Sequence, residues 1–294
     1  MLYDIRLVIA YDYAAPADRA RTILRLMPPD LPGVQRLRAA DLVIDPAPDE
    51  RREGVDFFGN AVTHAVWHHP IRQLSLTLTL DVQREAPAPV RDLSPPLAGL
   101  AAQLAELRDL GPHSPLHFQG ASPRVAPWPP ITGFARAATL GAPSARAAVV
   151  ALARALHTAM RFDAAATSVD TTPAQAFAQR RGVCQDFAQV MIAGLRGIGI
   201  PAGYVSGFLR TRPPPGQPRL EGVDAMHAWV RAWTGEEGGW VEIDPTNDRL
   251  AGEDYVTVAT GRDYGDVAPV LGALSTAGEQ GSRQAVDVVA RDEA

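Results

Sequence analysis

The sequence predicts an α+β protein built from an N-terminal β-sandwich and a following α+β domain with an antiparallel sheet. Residues 1–90 show the alternation of half-buried strands. Helical periodicity begins near Ser144 and gives way to strands after Pro201. Helices followed by strands within one segment indicate an α+β arrangement. A chain of 294 residues is also long enough for two hydrophobic cores.

Three stretches of the N-terminal unit carry the strand pattern. Apolar residues alternate with polar ones from Tyr3 to Ile9, and the stretches 34–45 and 73–82 repeat this alternation. Between them, Gly59-Asn60 stands among apolar neighbours, which is typical of a hairpin turn. Several short strands at this spacing predict a β-sandwich.

Proline-rich sequence follows the predicted sandwich. Residues 86–130 are rich in proline around one helical stretch, Leu97 to Leu110, which indicates a linker or a wrapping segment. We therefore divide the chain into a sandwich (1–90), a linker (91–143), an α+β domain (144–275) and a C-terminal tail (276–294).

The α+β domain is expected to begin with helices. Residues 144–162 have apolar spacing close to 3.6, and Thr172-Pro173 is suited to cap and open a short second helix. A third, strongly apolar helix is expected to start near Cys184 and to end at Gly199. Four predicted strands follow: 204–209, 227–234, 240–244 and 255–260.

Charge and composition limit the partners and the compartment. The 28 basic and 33 acidic residues give a net charge of −5, so neither nucleic acid nor a membrane is expected as a partner. No apolar run reaches the roughly 18 to 20 residues of a membrane helix, and the N-terminus lacks signal-peptide features. A single cysteine forms no internal disulfide, which favours a cytoplasmic location.

Cys184 is a candidate nucleophile because it is the only thiol and begins a helix. The free N–H groups at a helix N-terminus favour the reactive thiolate. Gly182 permits a tight entry into the helix, and Arg180 and Arg181 add positive charge. The alternative interpretation is a small buried hydrophobic residue, the usual fate of a free cysteine.

His227 and Asp244 are the candidate base and its orienting acid. If Thr234 faces Gly239 in a hairpin, His227 lies one diagonal step from Asp244; a tighter loop would place the two directly opposite. Either register puts both side chains on one face, within roughly 4.5–8 Å of each other. A register shifted by one residue would put them on opposite faces. Pro245 favours an extended Asp244.

The alternative to a catalytic role for His227 is a core histidine whose ring nitrogens are hydrogen-bonded, the usual role of a single histidine in a strand. An aromatic wall on the hairpin favours the functional interpretation. It is expected to consist of Trp229, Trp233 and Trp240.

Three motifs in this order resemble the bacterial branch of the transglutaminase-like superfamily, which has a papain-like fold. They are R-R-G-V-C-Q-D-F-A, A-M-H-A-W-V and G-W-V-E-I-D-P-T-N. The first ninety residues, with Y-D-Y-A-A-P and D-F-F-G-N-A-V-T-H, resemble the β-rich N-terminal domain of that family.

The resemblance implies a mechanism. Cys184 would be the nucleophile, His227 the general base and acid, and Asp244 the orienting carboxylate of thiol-dependent acyl transfer at a peptide or protein amide. Hydrolysis is the primary hypothesis, and transfer to an amine is the alternative. No metal or organic cofactor is implied. A complex with ATP-grasp-type proteins is suggested by family association alone.

Two further alternatives stay open: a catalytically silent scaffold, and a subunit whose site is complete only in a complex.

Several secondary candidates accompany the triad. Gln179 is either a second oxyanion donor or, as we expect, a solvated helix residue. Asp186 is expected to cap the helix or to neutralise Arg180 or Arg181. Tyr264 is expected to be a packed tyrosine, and the loop 210–219 could border the cleft. No metal site is expected at the nearby histidines, His64, His68 and His69.

Overall fold

The computed structural model describes residues 1–87, 91–211, 225–275 and 280–291. In these ranges no helix combines the length and the apolar character needed to cross a membrane. The N-terminal unit opens with five antiparallel strands. They are Leu2–Leu24 (β1), Gln35–Asp45 (β2), Glu50–Val55 (β3), Ala61–Val66 (β4) and Ile71–Arg84 (β5).

β1 runs through the whole N-terminal sheet and curls it. Its first half pairs with β5, whereas Arg21–Leu24 pair with β4 after a register shift beyond Asp12. The predicted alternation is confirmed, because the apolar residues of β1 face those of β5 in the core. Each such fully buried side chain stabilises the fold by about 2 kcal/mol. The facing pairs are Tyr3 with Val82, Ile5 with Leu80, Leu7 with Leu78 and Ile9 with Leu76.

The predicted hairpin turn joins β3 to β4. Gly59 has a φ of +81°, which a residue with a side chain rarely adopts. The N–H of Asp56 donates to the carbonyl of Asn60 at 2.9 Å, and this bond closes the turn.

The proline-rich segment contains more structure than the sequence pattern predicts. Its expected helix is α1 (Leu97–Glu106), which ends where Leu107 becomes extended. A second helix, α2 (Pro129–Ala138), starts on two prolines and buries Ile131 and Ala135. Of the two interpretations of this segment, the wrapping segment fits α2, because this helix packs on the central helix of the α+β domain.

Three helices and two short strands lead to the central sheet. They are α3 (Ala145–Ala159), β6 (Arg161–Phe162), α4 (Pro173–Gln179), β7 (Arg181–Gly182) and α5 (Cys184–Gly197). The Thr172 hydroxyl accepts from the N–H of Gln175, so the predicted cap of α4 is confirmed.

α5 is buried on nearly all sides from Phe187 to Leu195, as expected for a helix enclosed by other elements. Gly194 permits this close packing. A methyl group there would stand 3.2 Å from a Leu152 methyl and 3.3 Å from the Ala135 side chain. Helices α2 and α3 therefore approach α5 closely and fix its position.

A five-stranded antiparallel sheet covers the other side of α5, in the order β11-β10-β9-β8-β12. The predicted strands are confirmed, and short helix α6 follows them. The elements are β8 (Ala202–Leu209), β9 (Ala225–Trp233), β10 (Trp240–Asp244), β11 (Arg249–Leu250), β12 (Tyr255–Gly261) and α6 (Tyr264–Val267).

The chain then returns to the N-terminal sheet. Strands β13 (Val270–Ser275) and β14 (Gln280–Ala290) both pair with β1. The tail interpretation of 276–294 is therefore wrong for residues 280–290, where Val286, Val288 and Ala290 alternate with more exposed residues. The predicted domain limits stay predictions, but the pairing assigns both strands to the N-terminal sheet.

Two buried amide side chains join the N-terminal sheet to the edge of the central sheet. Gln35 donates to the carbonyl of Thr257 at 2.8 Å and accepts from its N–H at 2.9 Å. Asn60 makes the same pair of bonds with Thr260, at 2.9 and 2.8 Å. These contacts satisfy backbone groups of β12 that would otherwise form an open edge.

Candidate active site

Cys184 occupies the first position of α5 and is half-buried. The chain reaches it through β7, which pairs in parallel with β6. Extended Val183 separates β7 from the helix, with a φ of −99° and a ψ of 178°. The sulfur therefore lies beside N–H groups that have no acceptor within the helix.

A buried carboxylate, Asp186, fixes this entry. It accepts from the N–H of Val183 at 2.8 Å and from the Thr167 hydroxyl at 2.6 Å. A side chain on Gly182 would approach the Asp186 carboxylate to 2.5 Å, so the site requires glycine. Burial raises the pKa of Asp186 against the effect of these two hydrogen bonds. The predicted capping role of Asp186 is confirmed.

The neighbouring arginines have other partners. The Arg180 guanidinium lies 3.7 Å from the centre of the Phe177 ring. Arg181 stands 3.7 Å from Asp163. The structure favours capping by Asp186 over neutralisation of an arginine, because both arginines have these other partners.

The β9–β10 hairpin places His227 beside Asp244. Trp240 pairs with Trp233 and Ile243 pairs with Val230, which is the first of the two predicted registers. His227 therefore lies one diagonal step from Asp244. Its Nε2 atom stands 2.7 Å from Asp244 Oδ2.

Asp244 is fully buried and accepts five hydrogen bonds. Oδ2 binds His227, the Asn247 amide at 2.6 Å and the Tyr255 hydroxyl at 2.8 Å. Oδ1 accepts the N–H groups of Thr246 and Asn247. Burial acts to raise the pKa of Asp244, but the hydrogen bonds outweigh burial and hold it below its ordinary value. This environment keeps the carboxylate charged.

Sequence analysis missed Tyr255 and Asn247 as partners of this carboxylate. Asn247 lies in the turn after β10, where an Asp-Pro-Thr-Asn run is a visible turn signal. Tyr255 comes from β12, which is not adjacent to β10 in the sheet. No local pattern in the sequence indicates that contact.

Cys184 lies close enough to His227 for the two side chains to interact. Burial alone would lower the pKa of the imidazole. The hydrogen bonds with Asp244 and Cys184, and the charges of both groups, outweigh burial and raise that pKa to about 10. The arrangement favours a protonated imidazole beside the sulfur at neutral pH.

The predicted aromatic wall is correct for one of its three members. Trp229 is buried, stacks beside the His227 ring at a centroid distance of 6.4 Å, and donates to Glu242 at 2.8 Å. Trp233 and Trp240 lie toward the other end of the hairpin, where Trp240 contacts Phe118. The second aromatic neighbour of His227 is Tyr255, at 6.3 Å.

The other candidates from the sequence are two side chains, Gln179 and Tyr264, and the loop 210–219. Gln179 is exposed at the end of α4, in agreement with the solvated interpretation. Tyr264 is half-buried and packs edge-on against Tyr204 at 6.1 Å, as expected for a packed tyrosine. Most of the proposed cleft-bordering loop, residues 212–219, lies outside the described residues.

Two histidines of the N-terminal unit are paired with acids. His68 stands 2.9 Å from Glu50, and His69 stands 3.1 Å from Asp49. Across the described ranges no group of three or more histidine, cysteine or acidic side chains could hold a metal ion.

Comparisons with known proteins agree with this architecture. The family described as the transglutaminase-like superfamily matches residues 132–245, and the bacterial transglutaminase-like N-terminal region matches residues 3–83. An uncharacterized protein of Mycobacterium tuberculosis is 37% identical over 261 residues, covering 83% of this chain and 79% of that protein.

Two further similarities are more distant. A protein-glutamine gamma-glutamyltransferase of Pseudomonas aeruginosa is 38% identical over 82 residues, covering 28% of this chain and 12% of that protein. A crystal structure from Cytophaga hutchinsonii, described as a "putative cysteine protease", superposes with a TM-score of 0.75 at 20% identity. It covers 98% of this chain and 90% of the other, which shows a shared fold. From its two matched regions and its mycobacterial relative, this chain belongs to the transglutaminase-like superfamily and carries the bacterial N-terminal region.

Proposed function

We propose that the protein is a thiol enzyme that transfers an acyl group from a peptide or protein amide through a Cys184 thioester, with water as the acceptor. The observation that carries this proposal is the position of Cys184 at the start of α5 beside His227, whose ring contacts buried Asp244. A nucleophile, a base and an orienting acid in contact are the parts that such chemistry needs.

Acylation would begin from the thiolate and the imidazolium. The sulfur attacks the amide carbon, the carbonyl π electrons move to oxygen, and a tetrahedral oxyanion forms. His227 then donates its proton to the departing nitrogen as the C–N bond breaks and the oxyanion collapses. The products are a Cys184 thioester and a free amine, and His227 is left neutral.

Deacylation would reverse these roles. Neutral His227 takes a proton from water while the water oxygen attacks the thioester carbon. Collapse of the second tetrahedral intermediate breaks the C–S bond and releases a carboxylic acid, which restores the thiolate and the imidazolium. Asp244 stays charged throughout, because its hydrogen bonds keep the pKa of its carboxyl group below the ordinary value.

Alkylation of Cys184 tests the activated thiol. Iodoacetamide at pH 6.5 should modify Cys184 faster than it modifies a free model thiol, and His227→Ala should abolish the excess. Peptide mapping by mass spectrometry locates the adduct, and Cys184→Ala is the blank. Equal rates in the wild type and His227→Ala would argue for a silent scaffold of the same fold.

Transfer to an amine is the second candidate. It is supported by the 82-residue similarity to the Pseudomonas protein-glutamine gamma-glutamyltransferase. Acylating Cys184 with p-nitrophenyl acetate and adding a dansylated diamine would separate the two outcomes. Acetate without acetylated diamine supports hydrolysis, whereas acetylated diamine in excess over acetate supports transfer.

A further inference from the structure

A cavity of about 380 Å³ lies where the N-terminal sheet meets the end of the central sheet. Its lining comes from the end of β1, the β3–β4 turn, the turn at residues 115–118 and the segment that joins β12 to α6. None of the three triad residues lines it. The side chains that give the cavity its chemistry are Arg25, Asp56, Phe57, His117, Arg262 and Asp266.

Two ion pairs form the polar part of the cavity. Arg25 Nε donates to Asp56 Oδ2 at 2.9 Å, and both side chains are largely buried. Arg262 binds Asp266 through two bonds, from Nε to Oδ2 at 2.8 Å and from Nη2 to Oδ1 at 3.0 Å. The two guanidinium charges are thus balanced by two carboxylates, and these four side chains carry no net charge.

The two carboxylates have little capacity left for further hydrogen bonds. Asp56 accepts two backbone N–H groups of its own turn at 3.0 Å, the Asn60 amide at 3.0 Å, and Arg25. Asp266 accepts the backbone N–H of Arg262 at 2.9 Å in addition to the two guanidinium bonds. Because a carboxylate has about four acceptor positions, a ligand that brings donors would find few acceptors here.

The guanidinium groups, in contrast, keep donors unused. Within the described residues neither Nη group of Arg25 makes a hydrogen bond, and its Nη1 is buried. Nη1 of Arg262 makes none within the same ranges. Guanidinium N–H groups donate and never accept, and buried donors nearly always have a partner. The cavity therefore suits a ligand that brings acceptors.

An exposed aromatic side chain supplies the apolar part of the cavity. Phe57 is 55% exposed, whereas the neighbouring Phe58 is buried. The Phe57 ring packs edge-on against the rings of Phe58 and His117, with 5.1 Å between the ring centres in both pairs. These contacts hold the ring in place beside the arginines. A ligand that covers its exposed face would remove apolar surface from water.

We infer that this cavity binds an organic carboxylate whose apolar group packs on Phe57 and whose oxygens accept from the unused N–H groups of Arg25 and Arg262. A charged acceptor forms the stronger hydrogen bond with a guanidinium, and a carboxylate matches its planar geometry. Because the walls are already neutral, a second negative charge, as in a phosphate ester, would be buried without a partner. The inference does not depend on the proposed function.

Titration of full-length Cys184→Ala protein tests the inference, since this variant can neither hydrolyse a probe nor be acylated by one. Phenylacetate should bind with a Kd on the order of 1 mM, the range for a ligand of this size. Chemical-shift changes in ¹H–¹⁵N spectra measure it. Acetate lacks the apolar group, and phenylacetamide and phenethylamine lack the negative charge. Each of these should bind at least about tenfold more weakly.

Two variants locate the ligand in the cavity. Arg25→Lys keeps a positive charge beside Asp56 but removes the Nη groups, and Phe57→Ala removes the apolar wall at an exposed position. Each should weaken phenylacetate binding at least about fivefold. The matched control is Arg283→Lys, because Arg283 forms an exposed ion pair with Asp12, 3.1 Å apart. Its Kd should be unchanged. Circular dichroism establishes that each variant is folded, and Phe57→Ala keeps the test decisive if Arg25→Lys unfolds.

Four outcomes would overturn the inference. No saturation by phenylacetate well above the expected Kd means that the cavity is not a binding site. Equal affinity for phenylacetamide or phenethylamine means that the negative charge is not recognised. Binding of phenyl phosphate as tight as that of phenylacetate means that the ligand class is wrong. Unchanged affinity in Phe57→Ala and in folded Arg25→Lys places the carboxylate elsewhere on the protein, the cleft at Cys184 included.

Discussion

Replacing Asp244 with asparagine is the sharpest test of the contact between this carboxylate and His227. Oδ1 accepts two N–H groups, and Oδ2 accepts bonds from His227, Asn247 and Tyr255. An amide NH₂ in either position meets at least two donors. If it replaces Oδ2, it donates to His227 Nε2 and leaves the other ring nitrogen protonated. The ring then cannot accept a proton from Cys184.

The expected loss follows from the pKa of His227. A rise from 6.5 to about 10 corresponds to about 5 kcal/mol. If Asp244 supplies close to half of it, Asp244→Asn removes about 2 kcal/mol, or roughly 30-fold in the affinity of the imidazole for its proton. In serine proteases the equivalent change also traps the wrong tautomer and costs about 10⁴ in turnover. We therefore expect alkylation to slow by at least about 30-fold.

The assay is the second-order rate constant of iodoacetamide with Cys184 between pH 5 and 9, followed by intact mass. The matched control is Asp12→Asn, since Asp12 forms an exposed ion pair with Arg283 on the N-terminal sheet, 3.1 Å apart. Control rates should equal those of the wild type. A folded Asp244→Asn protein with wild-type alkylation would refute the role given to the carboxylate.

Three further predictions concern stability. Gly182→Ala forces a side chain against Asp186 and should lower the free energy of unfolding by about 1–3 kcal/mol; a wild-type urea midpoint would contradict this. The His227 pKa is raised by folding, so its stabilisation is complete below about 6.5 and is lost as the pH rises through about 10. Between pH 7 and 10 the melting temperature should therefore fall more in wild type than in His227→Gln, and parallel curves would disprove the linkage. Gln35→Ala leaves both backbone groups of Thr257 unpaired and should cost about 2–4 kcal/mol in urea unfolding; unfolding at the wild-type urea concentration would rule this out.

Sequence alone could predict the parts of the site that depend on local chain geometry. Cys184 begins its helix and His227 reaches Asp244 because helix starts and hairpin registers are fixed by neighbouring residues. Tyr255 could not be predicted from the sequence, because it reaches Asp244 from another strand of the folded sheet.

Errors in the predicted fold have the same physical origin. The proline-rich composition of residues 86–130 predicts a break in regular structure, whereas prolines at the first positions of α2 favour a helix. The alternation of Val286 and Val288 was visible in the sequence. Only the pairing of β14 with β1, about 280 residues apart in the chain, gives that strand its place.

The N-terminal sheet is connected to the site through β12. This strand carries Tyr255, which holds the Asp244 carboxylate, and it forms one edge of the central sheet. Gln35 and Asn60 occupy that edge with paired amide bonds. Because an unpaired edge strand frays and exposes its backbone, removal of the sheet would loosen Tyr255 first and the His227–Asp244 contact with it. The fused N-terminal sheet therefore belongs to the support of the triad, although it contributes none of its three residues.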